Sequence, residues 1–360
     1  MTRPPTTARR TWHLSLLASL VWLVFAILGD HWGRVADHWA SAATMLFGSF
    51  LAGSSPEGGG AVAFPVFTKG LHVPSAVART FGLSIQAVGM TVAAGAILLS
   101  RRPIHIRATV VGSAAGIVGF LGGMFLLAES GTVFWPSAVA TPWVKATFSI
   151  VLATTSVMMV RHLRQSEVDH PPTPWMPRHD LGLIVAALGG GVLASMTGTG
   201  ANIVVFLFLV LLADVNPKSA LPSVVIIMAA VSVVGFALLG LVDGQLSVSL
   251  VGNRVVEVGS TPVDLPSDRA DLFGLWFAAV PVVVWGAPLG SWVASHVREA
   301  QLVAFVALLA GVEVLTTIVL VEELRSDGPL IAYLVGGLGL APLLLIWLRA
   351  NRERLFRVSR

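Results

Sequence analysis

The chain contains no cysteine, which excludes disulfides, thiolate catalysis and cysteine-bound metals or clusters. Charge is nearly as scarce. Asp, Glu, Lys and Arg together make up 12% of the 360 residues, where a soluble globular protein carries about 25%. So few ionised groups cannot cover a water-facing surface of this size, and two soluble domains are ruled out. What is present instead is apolar: hydrophobic residues make up 55% of the chain, and the mean hydropathy is +0.82. The composition implies an all-α polytopic membrane protein with the lipid bilayer as its surroundings. The formal net charge of +4 does not point to nucleic acid, because the basic residues form short clusters between apolar runs, the pattern that encodes membrane topology.

A helix needs about 20 apolar residues to cross about 30 Å of hydrocarbon. The segments that qualify are Trp12–Gly29, Val73–Ser100, Ala108–Leu127, Pro142–Val160, Ser219–Leu241, Leu272–Ala287, Leu302–Val321 and Pro329–Leu348, eight in all. Two further stretches, Trp39–Leu71 and Leu181–Ala213, are interrupted midway by glycine and small polar residues. The first span follows Arg3, Arg9 and Arg10. Asp30, His31 and Trp32 come after it, with no small-x-small cleavage site, so it reads as an uncleaved signal-anchor. Let each interrupted stretch start and end on one side, as a re-entrant hairpin does. Sixteen Lys and Arg then share a side with the N-terminus, among them Arg101, Arg102, Arg107, Lys218, Arg298 and the tail. Six fall opposite, and Arg79 lies near a helix start on that opposite side, where its long side chain is expected to snorkel to the outer surface, the alternative being that it pairs a bound anion. The basic excess marks the cytoplasmic face, so both termini are expected in the cytoplasm of a cell-membrane protein.

The chain also matches itself. Slid by 142 residues, the stretch from Gly48 to Pro65 falls on the stretch from Gly190 to Leu207 with six identities in eighteen positions, among them Gly48/Gly190, Gly58/Gly200 and Phe64/Phe206. Each half has the same order, an interrupted stretch and then three spans. The basic loop Arg101–Arg107 of the first half corresponds to the acidic loop Val242–Asp271 of the second, so equivalent loops are expected on opposite faces. An inverted-topology repeat is the signature of a secondary transporter with its site near the membrane midplane. The division expected is a signal-anchor and outer loop (1–38), a first repeat (39–165), a cytoplasmic linker (166–180), a second, inverted repeat (181–322), and a last helix with a basic tail (323–360).

At 1.5 Å per residue the arms of the interrupted stretches are about 16–22 Å long, enough to reach roughly the middle of the bilayer. Their tips, entering from opposite sides, should meet there. Irregular backbone at that depth is tolerated only in packed protein or along a cavity. The first tip offers Ser54, Ser55, Glu57, Gly58, Gly59 and Gly60; the second offers Thr197, Gly198, Thr199, Gly200 and Asn202. Each opens a half-helix whose N-terminal amides carry about half a positive charge. Two such ends make a preorganised cradle for a small anionic substrate, with the hydroxyls and the amide as further donors.

The half-repeat pattern resembles the TauE/SafE family of sulfite and organosulfonate transporters. It has a small-residue hairpin with a glycine triplet, an apolar run with Pro65, a Pro-Ser-Ala-x-Ala stretch at Pro74–Ala78, and a long helix ending in Arg101-Arg102. The resemblance covers roughly Ala40–Val321 and implies a cytoplasmic-membrane carrier of sulfite or related sulfur oxyanions, often an exporter. In this chain the second tip has no glycine triplet, Leu207 stands where symmetry calls for a proline, and Glu57 puts a carboxylate at the anion site.

A carboxylate at membrane depth needs a partner, a proton or a function. Glu57 at the tip is the candidate carrier of a coupling proton, or else a cap for half-helix amides. Glu313 is a second proton site or one side of a buried polar pair. Enzymatic readings find no support: His31 and His38, and His170 and His179, sit in loops without carboxylates at metal-ligand spacing. No metal or cofactor is expected. The alternatives to a carrier are an anion channel, since re-entrant hairpins also build pores, and a non-transporting receptor or structural protein.

Overall fold

Ser55 is where the first arm of the first interrupted stretch stops. Its backbone is extended (φ −135°, ψ 158°), Pro56 follows, and Gly58 takes a left-handed φ of 71° that a side chain would resist. The chain turns back on itself here. The computed structural model describes residues 5–71, 73–126, 141–165, 175–242 and 271–356. The acidic loop after Val242 lies outside the described residues, as do Arg3, His170, Arg357 and Arg360.

Among the described residues every regular element is helical. We label them α1 (Pro5–Leu28), α2 (Trp32–Asp37), α3 (Trp39–Ser54), α4 (Gly60–Pro65), α5 (Ser75–Leu99), α6 (Ile106–Leu126), α7 (Thr141–Gln165), α8 (Pro177–Thr197), α9 (Ala201–Leu207), α10 (Pro217–Gly235), α11 (Leu272–Ala294), α12 (Glu299–Leu320), α13 (Gly328–Ala350) and α14 (Arg352–Phe356). Among the described residues eight helices are long and apolar enough to cross a membrane. Seven of them match expected spans, and α1, the remaining expected span, runs 24 residues; the difference from expectation is Arg178–Thr197 in α8, which also qualifies. The difference arises at Pro177, which starts α8 at a position where proline is well suited, with Asp180 in its first turn. The first arm of the second hairpin therefore runs 21 residues, about 31 Å, rather than starting at Leu181.

The duplication is visible in backbone hydrogen bonds. Beyond α4 and α9 the chain continues as a wider π-helical turn, at Val66–Gly70 and again at Phe208–Leu212. Leu71 N donates to Val66 O and Val73 N to Phe67 O; Ala213 N donates to Phe208 O and Val215 N to Leu209 O. Each pair repeats at the spacing of 142. The tips keep that spacing and differ only in where their helices end. Five residues separate α3 from α4 and three separate α8 from α9, because α3 stops one position earlier and α4 starts one position later than its counterpart; Pro56 and Glu57 stand at the positions of Gly198 and Thr199. The helix-capping residues are Gly59 and Gly200, one position apart in this alignment, while Gly58 and Gly200 share the positive φ. The identity Gly48/Gly190 has a packing cause: each lies against the cap of its own hairpin, where a Cβ would meet Gly59 O at 3.3 Å and Gly200 O at 3.2 Å.

The two halves hold each other. α3 packs along α11 and α8 along α6; α5 packs against α11 and α10 against α6. Matching α3–α7 with α8–α12 in order turns each of these contacts into its counterpart. The contacts α5–α10 and α7–α12 map onto themselves. That is the relation two repeats related by a two-fold axis show. Small residues permit the approach: a Cβ on Gly53 would collide with Ala287 O, and one on Gly119 with Leu188 O. Outside this core, α13 lies on α7, with the Trp143 and Tyr333 rings 5.2 Å apart.

Candidate functional site

Because each hairpin is clasped by the opposite half, the two tips converge. Leu51 through Gly60 are all buried, as are Thr199 through Ile203. Thr199 Oγ1 lies 3.4 Å from Glu57 O, across the two tips, and a Cβ on Gly60 would overlap the Thr199 side chain. The second tip is tied internally. Thr197 Oγ1 donates to Thr199 O at 2.6 Å, and Asn202 Oδ1 accepts from Gly200 N at 3.2 Å. Gly198, at φ 78°, ends α8 by donating its N–H to Ala194 O; Gly200, at φ 139°, opens α9.

Of the eleven residues expected to bind, Ser54, Ser55, Glu57, Gly58, Gly59 and Gly60 stand on the first tip and Thr197, Gly198, Thr199, Gly200 and Asn202 on the second, and the structure brings the two groups into contact. Several of their polar atoms are buried without a hydrogen-bond partner: Ser54 Oγ, both carboxylate oxygens of Glu57 and Asn202 Nδ2. Glu57 is 3% exposed. The cap position of α4 is Gly59, and the Ser55 hydroxyl beside Glu57 also donates to Leu51 O.

Two residues of α5 complete the surroundings, and neither was expected there. Gln86, 2% exposed, donates through Nε2 to Gly82 O at 3.0 Å and to Gly198 O at 2.8 Å. Met90 lies beside it, its methyl 3.2 Å from where a Cβ on Gly58 would be. Gln86 was legible as a lone amide in an apolar helix, two turns from Arg79 and therefore on the same face. Arg79 corrects an expectation. It does not reach the outer surface: it is 2% exposed, and Nη1 donates to Ser195 O at 3.3 Å. The reason is that the last turn of α8 lies across the start of α5, and its carbonyl end attracts a cation.

Glu313 sits elsewhere. Lys69 Nζ, in the π turn after α4, is 2.6 Å from Glu313 Oε1 and 2.6 Å from Thr317 Oγ1, and Ser149 Oγ donates to the same carboxylate oxygen at 3.1 Å. It is one side of a buried polar pair.

Helices of membrane-spanning length, two broken hairpins and reciprocal packing define a polytopic membrane protein with a buried polar centre between two repeats. The chain belongs to the Sulfite exporter TauE/SafE family, whose model matches residues 40–316. That family is one of membrane transporters of sulfite or related anions. No match was found among curated proteins or solved structures.

Proposed function

We propose that the chain carries sulfite or an organosulfonate across the cytoplasmic membrane as a secondary transporter, binding it where the two hairpin tips meet, with Glu57 taking up a coupling proton. The observation that carries this reading is the set of buried, unpartnered polar atoms at the junction of the tips. Leaving such groups unmatched is costly, about 1–3 kcal/mol each, and a small anion engages the donors among them at once. The helical runs that start at Gly60 and Ala201 add the positive ends of their dipoles. Burial of both tips closes the site from either side, so substrate enters only when the halves move relative to each other, as a carrier requires. In this reading both termini are cytoplasmic. The clustering of Arg107 with Asp180 and of Arg352 with Asp214, all placed inside by the charge pattern, supports that arrangement.

A thermal-shift screen of the purified protein against sulfur oxyanions, carboxylates and phosphate tests the reading. Sulfite or a sulfonate at a hundred times its Kd should stabilise the fold by about 2.7 kcal/mol, and Asn202→Ala should abolish the shift. Stabilisation by none of these anions would remove the tips as a substrate site.

A further inference from the structure

Two side-chain amides flank Gly58, and their hydrogen bonds fix which end of each points inward. Gln86 reaches the carbonyls of Gly82 and Gly198. Both are acceptors only, so the amide nitrogen must occupy that end and Oε1 the other. Asn202 reaches the N–H of Gly200 at 3.2 Å, a donor only, so its oxygen is there and Nδ2 faces away. The inward ends lie beside one point: a Cβ on Gly58 would be 2.7 Å from Asn202 Nδ2 and 3.5 Å from Gln86 Oε1. Both atoms are buried and unpartnered, and the residues are 1% and 2% exposed.

The tips therefore present a donor and an acceptor side by side, with the two Glu57 oxygens as further acceptors when ionised. An oxyanion that bears only lone pairs satisfies Asn202 and leaves Gln86 Oε1 buried against another acceptor. A monoanion that keeps one O–H or N–H satisfies both. We propose that Gln86 is a specificity-determining residue that selects anions carrying a hydrogen-bond donor, such as a hydrogen oxyanion or a hydroxy- or amino-sulfonate, over sulfonates of the same size without one. This rests on the anion site proposed above. The second repeat offers no equivalent: 142 residues on from Gln86 stands Met228, so the selection is made by one half alone.

The probes are methanesulfonate and hydroxymethanesulfonate, two monoanions that differ by one hydroxyl, titrated calorimetrically into the purified full chain at one pH. Hydroxymethanesulfonate should bind more tightly by about tenfold, the scale of one buried group left unsatisfied. In Gln86→Leu the ratio should fall to near one, whichever way the variant moves the affinity for methanesulfonate. A purely structural role for Gln86 would weaken both anions together and leave their ratio intact. A ratio near one in the unmodified chain, or one that survives Gln86→Leu, overturns the inference while leaving the anion site standing. Binding of neither anion overturns the site itself and the inference with it.

Discussion

Glu57, at the position where the second tip has Thr199, puts a carboxylate in one tip only. It is the group that most separates a proton-coupled carrier from a passive cradle. Glu57→Gln keeps size and removes the charge, so the variant should bind the anion with an affinity less dependent on pH and lose proton-driven accumulation. Flux against pH in proteoliposomes checks this, and an unchanged profile would return Glu57 to a structural role. The glycines divide differently from what spacing alone conveys. Gly58 and Gly200 are conformational, at φ 71° and 139°, whereas Gly60 is a contact residue pressed on Thr199. Gly60→Ala should therefore destabilise the fold by overpacking, by about 1–3 kcal/mol, measurable by thermal unfolding in detergent. The tip residues were readable from composition because glycine and hydroxyl clusters are rare inside apolar runs. Arg79 was misread because its neighbour across the fold, Ser195, is 116 positions away, and no local pattern reports such a partner.

At the scale of elements, the return arm of the first hairpin is anchored by Lys69 to Glu313 on α12, with Ser149 of α7 joining the same carboxylate. The pair is nearly dry, with side chains 2% and 4% exposed. Breaking such a pair from one side leaves an uncompensated charge, at a cost of about 3–5 kcal/mol, whereas replacing both members by apolar groups is often neutral. Lys69→Met should thus lower thermal stability strongly, and Lys69→Met with Glu313→Leu should recover most of the loss. Equal destabilisation by the single and double variants would show that the pair does not hold the arm. Symmetry did not announce this anchor, since position 211 in the second repeat is Leu. Hairpin boundaries were legible to within a few residues because glycine and proline stop helices for local reasons. The first arm of the second hairpin starts four residues before its apolar run, because Pro177 and Asp180 suit a helix N-terminus although Pro177-Arg178-His179-Asp180 is polar.

For the whole molecule, topology follows from charge, and the chain suits its own test because it has no native cysteine. Single substitutions Ile104→Cys and His170→Cys should label only from the cytoplasmic side, and Ser130→Cys and Val255→Cys only from outside, with a membrane-impermeant maleimide. Cytoplasmic labelling at 255 would undo the inversion of the second half. The all-α class and the duplication were plain from hydropathy and self-alignment. Their interlocking was not, because periodicity within a segment says nothing of which helix it will lie against.

The reciprocal packing of α3 on α11 and α8 on α6 also bears on autonomy. A half released from the other keeps its sequence but loses the partner face for its hairpin, so neither half is a folding unit. Expressed alone, residues 1–165 or 175–360 should be degraded. Expressed together as separate polypeptides, they should find each other in the membrane and restore anion binding, as two subunits of one pair.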